Sequence, residues 1–144
     1  MLNTYQSRSP LLLARVHSKC ANDSWGKDFY KNLLLNKNII VLVAGRLPRG
    51  IIVLRYIGKE AEILNIAVIK HFQSQGVGKL LILQAFKLLM QLKVKVLILE
   101  VSINNLLAIK LYKSCGFKKI GIRKAYYLRR NGSKEDAYIM EKKL

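Results

Sequence analysis

Residues 63–79 constrain the fold more than any other stretch of the chain. An apolar run, Ile-Leu-Asn-Ile-Ala-Val-Ile, passes through a short polar segment into Gly76-Val77-Gly78-Lys79, and a long apolar segment of helical spacing follows. A strand that delivers a glycine-bearing loop to a helix N-terminus builds an anion site. The first helical turn has unpaired backbone N–H groups and carries the positive end of the macrodipole. Gly76 and Gly78 keep side chains away, so that the backbone itself meets the ligand. That ligand is expected to carry phosphate.

With 144 residues, 51% of them hydrophobic, the chain is long enough to bury a core and too short for two ordinary domains. A single domain over residues 1–144 is expected. Every apolar run is interrupted by Arg, Lys, Asn, Gln or Glu before it reaches the length of a membrane span, and the amino terminus lacks a signal-peptide pattern. A soluble, intracellular protein without membrane partners is the expectation. The two cysteines, Cys20 and Cys115, form no CxxC pair, and His17 and His71 stand alone, so neither a disulfide framework nor a metal site is expected. The charge is the unusual feature, 26 Lys and Arg against 8 Asp and Glu, a formal +18. Such a field favours nucleic acid, ribonucleoprotein or anionic cofactors. A coding bias towards Lys, Ile, Leu and Asn accounts for it equally well.

Taken in order, residues 2–5 suggest an edge strand. Pro10 fits the first turn of a helix over residues 11–20, with Leu12, Leu13 and Val16 inward. Asn22, Asp23 and Ser24 offer caps for a second helix over residues 25–35, in which Trp25, Phe29 and Leu33 share a face. Strands follow at residues 39–44, 51–57 and 60–68, joined by turns at Pro48-Arg49-Gly50 and Gly58-Lys59 into an antiparallel meander. A helix over residues 77–92 uses Leu80, Leu81, Ala85, Leu88 and Leu89, widened by Leu83 and Phe86. Residues 94–101 read as a strand of parallel type carrying Glu100, so strand, helix and strand form a right-handed βαβ unit. Residues 106–114 read as a helix capped within residues 102–105 and closed by Gly116. Strands at residues 117–122 and 137–141 flank a turn at Arg129-Arg130-Asn131-Gly132. The fold class is α/β, with a mixed sheet whose first half is a meander and whose centre is the βαβ unit.

Two phosphate motifs fail at the opening stretch. A Walker-type loop requires glycine at 73 and Ser or Thr at 80, where the chain has Gln73 and Leu80. A dinucleotide fingerprint requires a third glycine where Leu81 stands, although Glu100 lies about where its ribose ligand would be. By contrast, Gln73-x-x-Gly76-x-Gly78 after Asn65-Ile66-Ala67-Val68 resembles the acetyl-CoA signature of the GNAT N-acetyltransferase superfamily. Leu99-Glu100-Val101, Asn104-Asn105, Ala108, Leu111-Tyr112, Gly116-Phe117, Arg123-x-x-Tyr126-Tyr127 and Glu135-Asp136-Ala137-x-Ile139-Met140 continue the likeness. Over about residue 25 to the end, this series resembles the bacterial ribosomal-protein-alanine type, RimI.

The resemblance implies a GNAT fold in which the strand ending at Val68 splays from the one ending near Val101. It implies acetyl-CoA as co-substrate. Its pyrophosphate would lie on the loop and helix start at Ser74, Gln75, Gly76, Val77, Gly78 and Lys79, and its pantetheine along Ile66, Ala67 and Val68. It further implies that the Val68 N–H polarises the thioester carbonyl and that Asn105 bonds the pantetheine arm. Glu100 would act as general base and Tyr112 as general acid. On residue type alone, a Tyr at helical spacing such as Tyr112 is more often core packing, and a strand Glu such as Glu100 is often a solvated carboxylate. Trp25, Tyr126 and Tyr127 would edge the acceptor site, with core packing as their alternative. Ser74 stands where close relatives usually carry Arg, and Ile69-Lys70 where an Asp-Pro-like pair is common.

The function so implied is direct acetyl transfer, in a ternary complex, to a protein N-terminal amine, namely that of an alanine-starting ribosomal protein. A GNAT enzyme for another amine is one alternative, and a basic ribonucleoprotein-binding module without catalysis is the other. A bacterial cytoplasm or a plastid is the expected compartment.

Overall fold

The computed structural model describes the chain except Met1, Asn22, Arg129, Arg130, Asn131 and Ser133 and the side chains of residues 126–128. In chain order the elements are β1 (Thr4–Gln6), α1 (Pro10–Ser18), α2 (Lys27–Leu33), β2 (Ile39–Ala44), β3 (Gly50–Ile57) and β4 (Glu60–Val68). A 3₁₀ turn (Lys70–Phe72) follows, then α3 (Val77–Gln91), β5 (Val96–Ser102), α4 (Leu106–Ser114), β6 (Lys118–Leu128) and β7 (Lys134–Lys143). The strands form one sheet in the order β1-β2-β3-β4-β5-β7-β6. β4 and β5 pair in parallel, and the other neighbours are antiparallel. The expected meander followed by a βαβ unit is therefore the architecture of the sheet.

Period-two alternation splits the core between the two sheet faces. Leu42, Ile52, Leu54, Leu97, Leu99 and Met140 point to α3 and α4, where Leu81, Ala85 and Leu89 meet them. Val41, Val43, Ile51 and Val53 point the other way, to Leu13 and Val16 of α1 and Tyr30 of α2. Each such aliphatic side chain, buried fully, stabilises the fold by about 1.5–3 kcal/mol. α1 and α2 pack only on the β2–β3 side, so the same face of β5, β7 and β6 carries neither helix.

Several boundaries differ from those expected. β1 lies one to two residues later, and α1 starts at Pro10 because the Ser9 Oγ accepts the Leu12 N–H at 3.2 Å. α2 is shorter than expected and is entered from Gly26 rather than from a side-chain cap at Asp23 or Ser24; Asn22 lies outside the described residues. Its buried residue is Tyr30, while Phe29 is exposed, so the face expected from Trp25, Phe29 and Leu33 is rotated by one position. Leu83 faces solvent instead of widening the inner surface of α3. β5 begins at Val96 because Lys93, at φ +67°, turns the chain and the Val94 N–H still bonds the Leu89 carbonyl. β6 and β7 are both longer than expected; β7 pairs on both sides, and β6 at the sheet edge carries Lys118, Lys119, Arg123 and Lys124. The turn between them falls on Arg129, Arg130 and Asn131, outside the described residues.

Candidate active site

β4 and β5 are partners only from Glu60↔Val96 to Glu62↔Ile98; beyond that they separate. The cause lies in β4, where Asn65 pairs with Val53 but Ile63 with Leu54, leaving Leu64 as an extra residue in a β-bulge. A bulge bends its strand and raises the local twist. Past the bulge, the Ile69 N–H donates to the Arg49 carbonyl at 2.8 Å. Antiparallel ladders alternate bonded and non-bonded pairs, so the main-chain groups of Ala67 face β3 while those of Ile66 and Val68 face the gap left by β5. The strand therefore offers unladdered N–H groups to whatever enters the slot. On that side Gln73 Nε2 donates to the Val68 carbonyl at 3.1 Å, leaving the Val68 N–H for another partner.

At the mouth of the slot α3 begins. Gly76 is its N-cap at φ +84°, no side chain caps the end, and the first intrahelical bond is from the Leu80 N–H to the Gly76 carbonyl, 3.0 Å. Ser74 is also left-handed, at φ +60°. A left-handed, non-glycine residue is strained, and alternation of this kind turns successive N–H groups into an anion-binding concavity. The first turn carries no acid and Lys79 is exposed, so the local field is positive. A Cβ at Gly76 would meet nothing within 4 Å, whereas one at Gly78 would come within 3.0 Å of Leu111 Cδ2 and 3.9 Å of Val68 Cγ2. Gly76 thus fronts open space, and Gly78 lets α3, α4 and β4 close around the slot. The cradle fits a phosphate-bearing chain.

Two cavities occupy the gap. The larger, about 370 Å³, runs from the glycine turn along Ile66 and Val68 to α4; the smaller, about 190 Å³, lies between β4 and β5 beside Glu100. Ile66, Asn105 and Tyr112 line both and join them. Tyr112 is buried on α4, its ring 5.8 Å from that of Phe117, and reaches the gap from the α3/α4 face. Glu100 belongs to the opposite face of β5, alternating with the inward Leu99 and Val101. A phenol and a carboxylate thus reach the junction from the two sides of the sheet. The Glu100 carboxylate is not solitary: Arg123 Nη1 of β6 lies 3.1 Å from its Oε1 and 3.3 Å from its Oε2. Asn105 Oδ1 accepts the Ala108 N–H at 3.2 Å, and the side-chain amide stays at the cavity wall.

Of the residues expected at the cofactor site, Ile66, Val68, Ser74, Gly76, Val77, Gly78, Lys79 and Asn105 line the larger cavity. Two do not. Alternation turns the Ala67 side chain to the α1/α2 core, and the Gln75 amide folds back onto the His71 carbonyl at 3.2 Å. Phe72, Gln73, Leu107, Ala108 and Leu111 also line it and were not expected there. Gln73, Ala108 and Leu111 sat in the quoted motifs, so the signal was present. Trp25 packs edge-on against His17, at 5.4 Å, and lines neither cavity. The side chains of Tyr126 and Tyr127 lie outside the described residues. Cys20 and Cys115 are buried and line neither cavity. Among the described residues, no three His, Cys, Asp or Glu side chains gather into a metal-holding group, and no helix is long and apolar enough to cross a membrane.

Over 81 residues the chain is 44% identical to the ribosomal protein bS18-alanine N-acetyltransferase of Haemophilus ducreyi, covering 56% of each chain. It is 37% identical over 114 residues to the Haemophilus influenzae protein of the same name, covering 77% of this chain and 70% of that one. The match thus spans little more than half the length of the first relative. The crystal structure of the ribosomal-protein-S18-alanine N-acetyltransferase from Escherichia coli superposes with a TM-score of 0.88 at 25% identity, over 99% of this chain and 94% of that one. Residues 11–117 match the acetyltransferase (GNAT) family, and the chain belongs to that family.

Proposed function

We propose that residues 1–144 act as one acetyltransferase domain. It moves the acetyl group of acetyl-CoA to the N-terminal amine of a ribosomal protein that begins with alanine, the acceptor named for the Haemophilus and E. coli relatives. The observation that carries the reading is the placement of Glu100 and Tyr112 on opposite sides of a gap lined by the backbone of Ile66 and Val68.

In this reading Gly76, Val77, Gly78 and Lys79 hold the pyrophosphate through helix-end N–H groups, as Ser74 and the main chain of Gln75 shape the turn. Ile66 and Val68 bond the pantetheine as an added strand, with Asn105 opposite. The Val68 N–H stabilises the carbonyl oxygen as negative charge develops. Glu100 removes a proton from the incoming amine, a C–N bond forms as the C–S bond breaks, and Tyr112 returns a proton to the departing thiolate. Attack is direct, because neither cysteine faces the slot to form an acyl-enzyme.

The excess positive charge suits an acceptor assembled with RNA, and the likeness to bacterial relatives suits a bacterial cytoplasm, or a plastid stroma, as the setting. Incubation with acetyl-CoA and peptides beginning with Ala, Ser, Met or Lys tests the reading, with mass spectrometry locating the added acetyl group. Acetylation of the alanine amine is expected. A protein that binds acetyl-CoA yet acetylates only internal lysines, or nothing, would overturn it.

A further inference from the structure

We infer that Arg123 is a positioning residue for Glu100, fixing the direction of its carboxylate in the slot; this rests on the acetyl-transfer reading above. Glu100 and Arg123 are not on neighbouring strands. In register, Glu100 of β5 faces Ile139 of β7, which faces Gly121 of β6, and Ser102 faces Ala137, which faces Arg123. The contact is therefore a diagonal that crosses the whole width of β7. Such a diagonal is open only if the residues beneath it are small. Ala137 is the small residue on that path; Ile139 flanks it, with its Cδ1 3.7 Å from where a Cβ at Gly121 would lie, so the missing side chain at Gly121 gives Ile139 room to lean off the diagonal. The long Arg side chain lies over this low ground, with one nitrogen astride both carboxylate oxygens.

The geometry has two chemical consequences. A carboxylate on a strand has free torsions at its end, and a cation held across both oxygens confines them, so the lone pairs keep one direction. The acceptor reaches the same place as a mixture of ammonium and amine. A guanidinium beside the base disfavours a second cation there and favours the neutral amine that can attack. Neither consequence is a matter of stability. The Arg123 side chain is 53% exposed, and pairs of this kind contribute at most about 1 kcal/mol to folding.

Among the described contacts Nη1 bridges both Glu100 oxygens, a point contact rather than a two-nitrogen fork, so Lys should replace Arg in part. Steady-state kinetics with acetyl-CoA and an alanine-first peptide on Arg123→Gln and Arg123→Lys test the role. Arg123→Gln is expected to lower kcat about 10-fold or more, with KM for acetyl-CoA changed less than 2-fold and the thermal midpoint near that of the parent. Arg123→Lys should recover most of the loss. Equal kcat in Arg123→Gln and parent, equal losses in both variants, or a loss confined to the acetyl-CoA KM would overturn the inference. Should the parent acetylate no amine, the functional reading fails separately, and the pairing is still read from the Glu100 carboxyl carbon resonance in labelled protein. Displacement in Arg123→Gln and recovery in Arg123→Lys are expected there, and an unmoved resonance overturns the inference.

Discussion

Asp136 Oδ1 accepts the backbone N–H of Ala125 at 2.8 Å, tying β7 to a β6 residue held at φ +52°. β6 and β7 lose register between Arg123 and Tyr127, so this bond closes the bulge just beyond Arg123. Asp136 and its neighbour Glu135 also reach the other wall. The Asp136 carbonyl accepts the Ile103 N–H at 3.1 Å, and Glu135 accepts the side-chain amide of Asn104, next to Asn105. A left-handed alanine costs about 1 kcal/mol or more, and the Asp136 carboxylate offsets that cost. Asp136→Ala should therefore lower stability by about 1 kcal/mol and the thermal midpoint by about 3 °C. It should raise the acceptor KM more than the acetyl-CoA KM. Ala125→Gly in the Asp136→Ala background should recover part of the midpoint, since glycine adopts this φ without strain.

Glu100→Gln and Tyr112→Phe remove one proton-transfer group each while keeping shape. General acid–base groups contribute roughly 10²–10⁴-fold to rate. Each variant is expected to lose kcat in that range, with acetyl-CoA affinity by titration within about 2-fold of the parent. Tyr112 packs against Phe117, a ring contact that Phe at 112 preserves, and the thermal midpoint of the variant separates a loss of fold from a loss of chemistry. Turnover near the parent level in either variant would remove that residue from the chemistry.

The glycine turn separates binding from chemistry. Gly78→Ala places a methyl 3.0 Å from Leu111 Cδ2 and within 4.0 Å of Val68 Cγ2 and Ile66 Cδ1. Leu111 can yield by a few tenths of an ångström, but it yields into the slot. Acetyl-CoA affinity should fall several-fold while the thermal midpoint stays near that of the parent, because alanine is the better helix residue by about 1 kcal/mol. Gly76→Ala should differ. Its φ of +84° strains any side chain, so it is expected to lower the midpoint as well as the affinity.

The parts of this molecule that could be read beforehand are those specified by neighbours in the chain. α4 begins and ends where expected because Asn105 caps it and Gly116, at φ +92°, closes it. The glycine turn was legible for the same reason. α2 departs from its expected face because Trp25, Phe29 and Leu33 suggest one by spacing, whereas burial selects Tyr30, whose hydroxyl lies 2.9 Å from His17 Nδ1. That partner is a tertiary contact, invisible to periodicity. Glu100 reads from the sequence as a solvated strand carboxylate for a similar reason. Arg123, which pairs with it, stands 23 positions away and two strands across, a relation set by the register of β7 and by the small Ala137 on the diagonal.

His17 provides a pH-dependent test of the helical layer. It is 2% exposed, its Nδ1 lies 2.9 Å from the Tyr30 hydroxyl, and the Trp25 N–H donates to the same nitrogen at 3.3 Å. Nδ1 therefore acts as an acceptor in a neutral ring. Burial lowers the His17 pKa from its ordinary 6.5. The unfolded chain then takes up its proton first as pH falls, so stability is full above about 6.5 and declines below it. On the alkaline side, burial raises the Cys20 pKa from 9.0 to about 11 and moves Tyr30 upward from 10.0 in the same direction. The unfolded chain now loses its protons first, so stability falls again as pH rises above 9. Thermal midpoints from pH 5 to 10 should trace both limbs. His17→Gln should flatten the acidic limb and leave the alkaline one, whereas an acidic limb unchanged in that variant would assign it to the carboxylates instead.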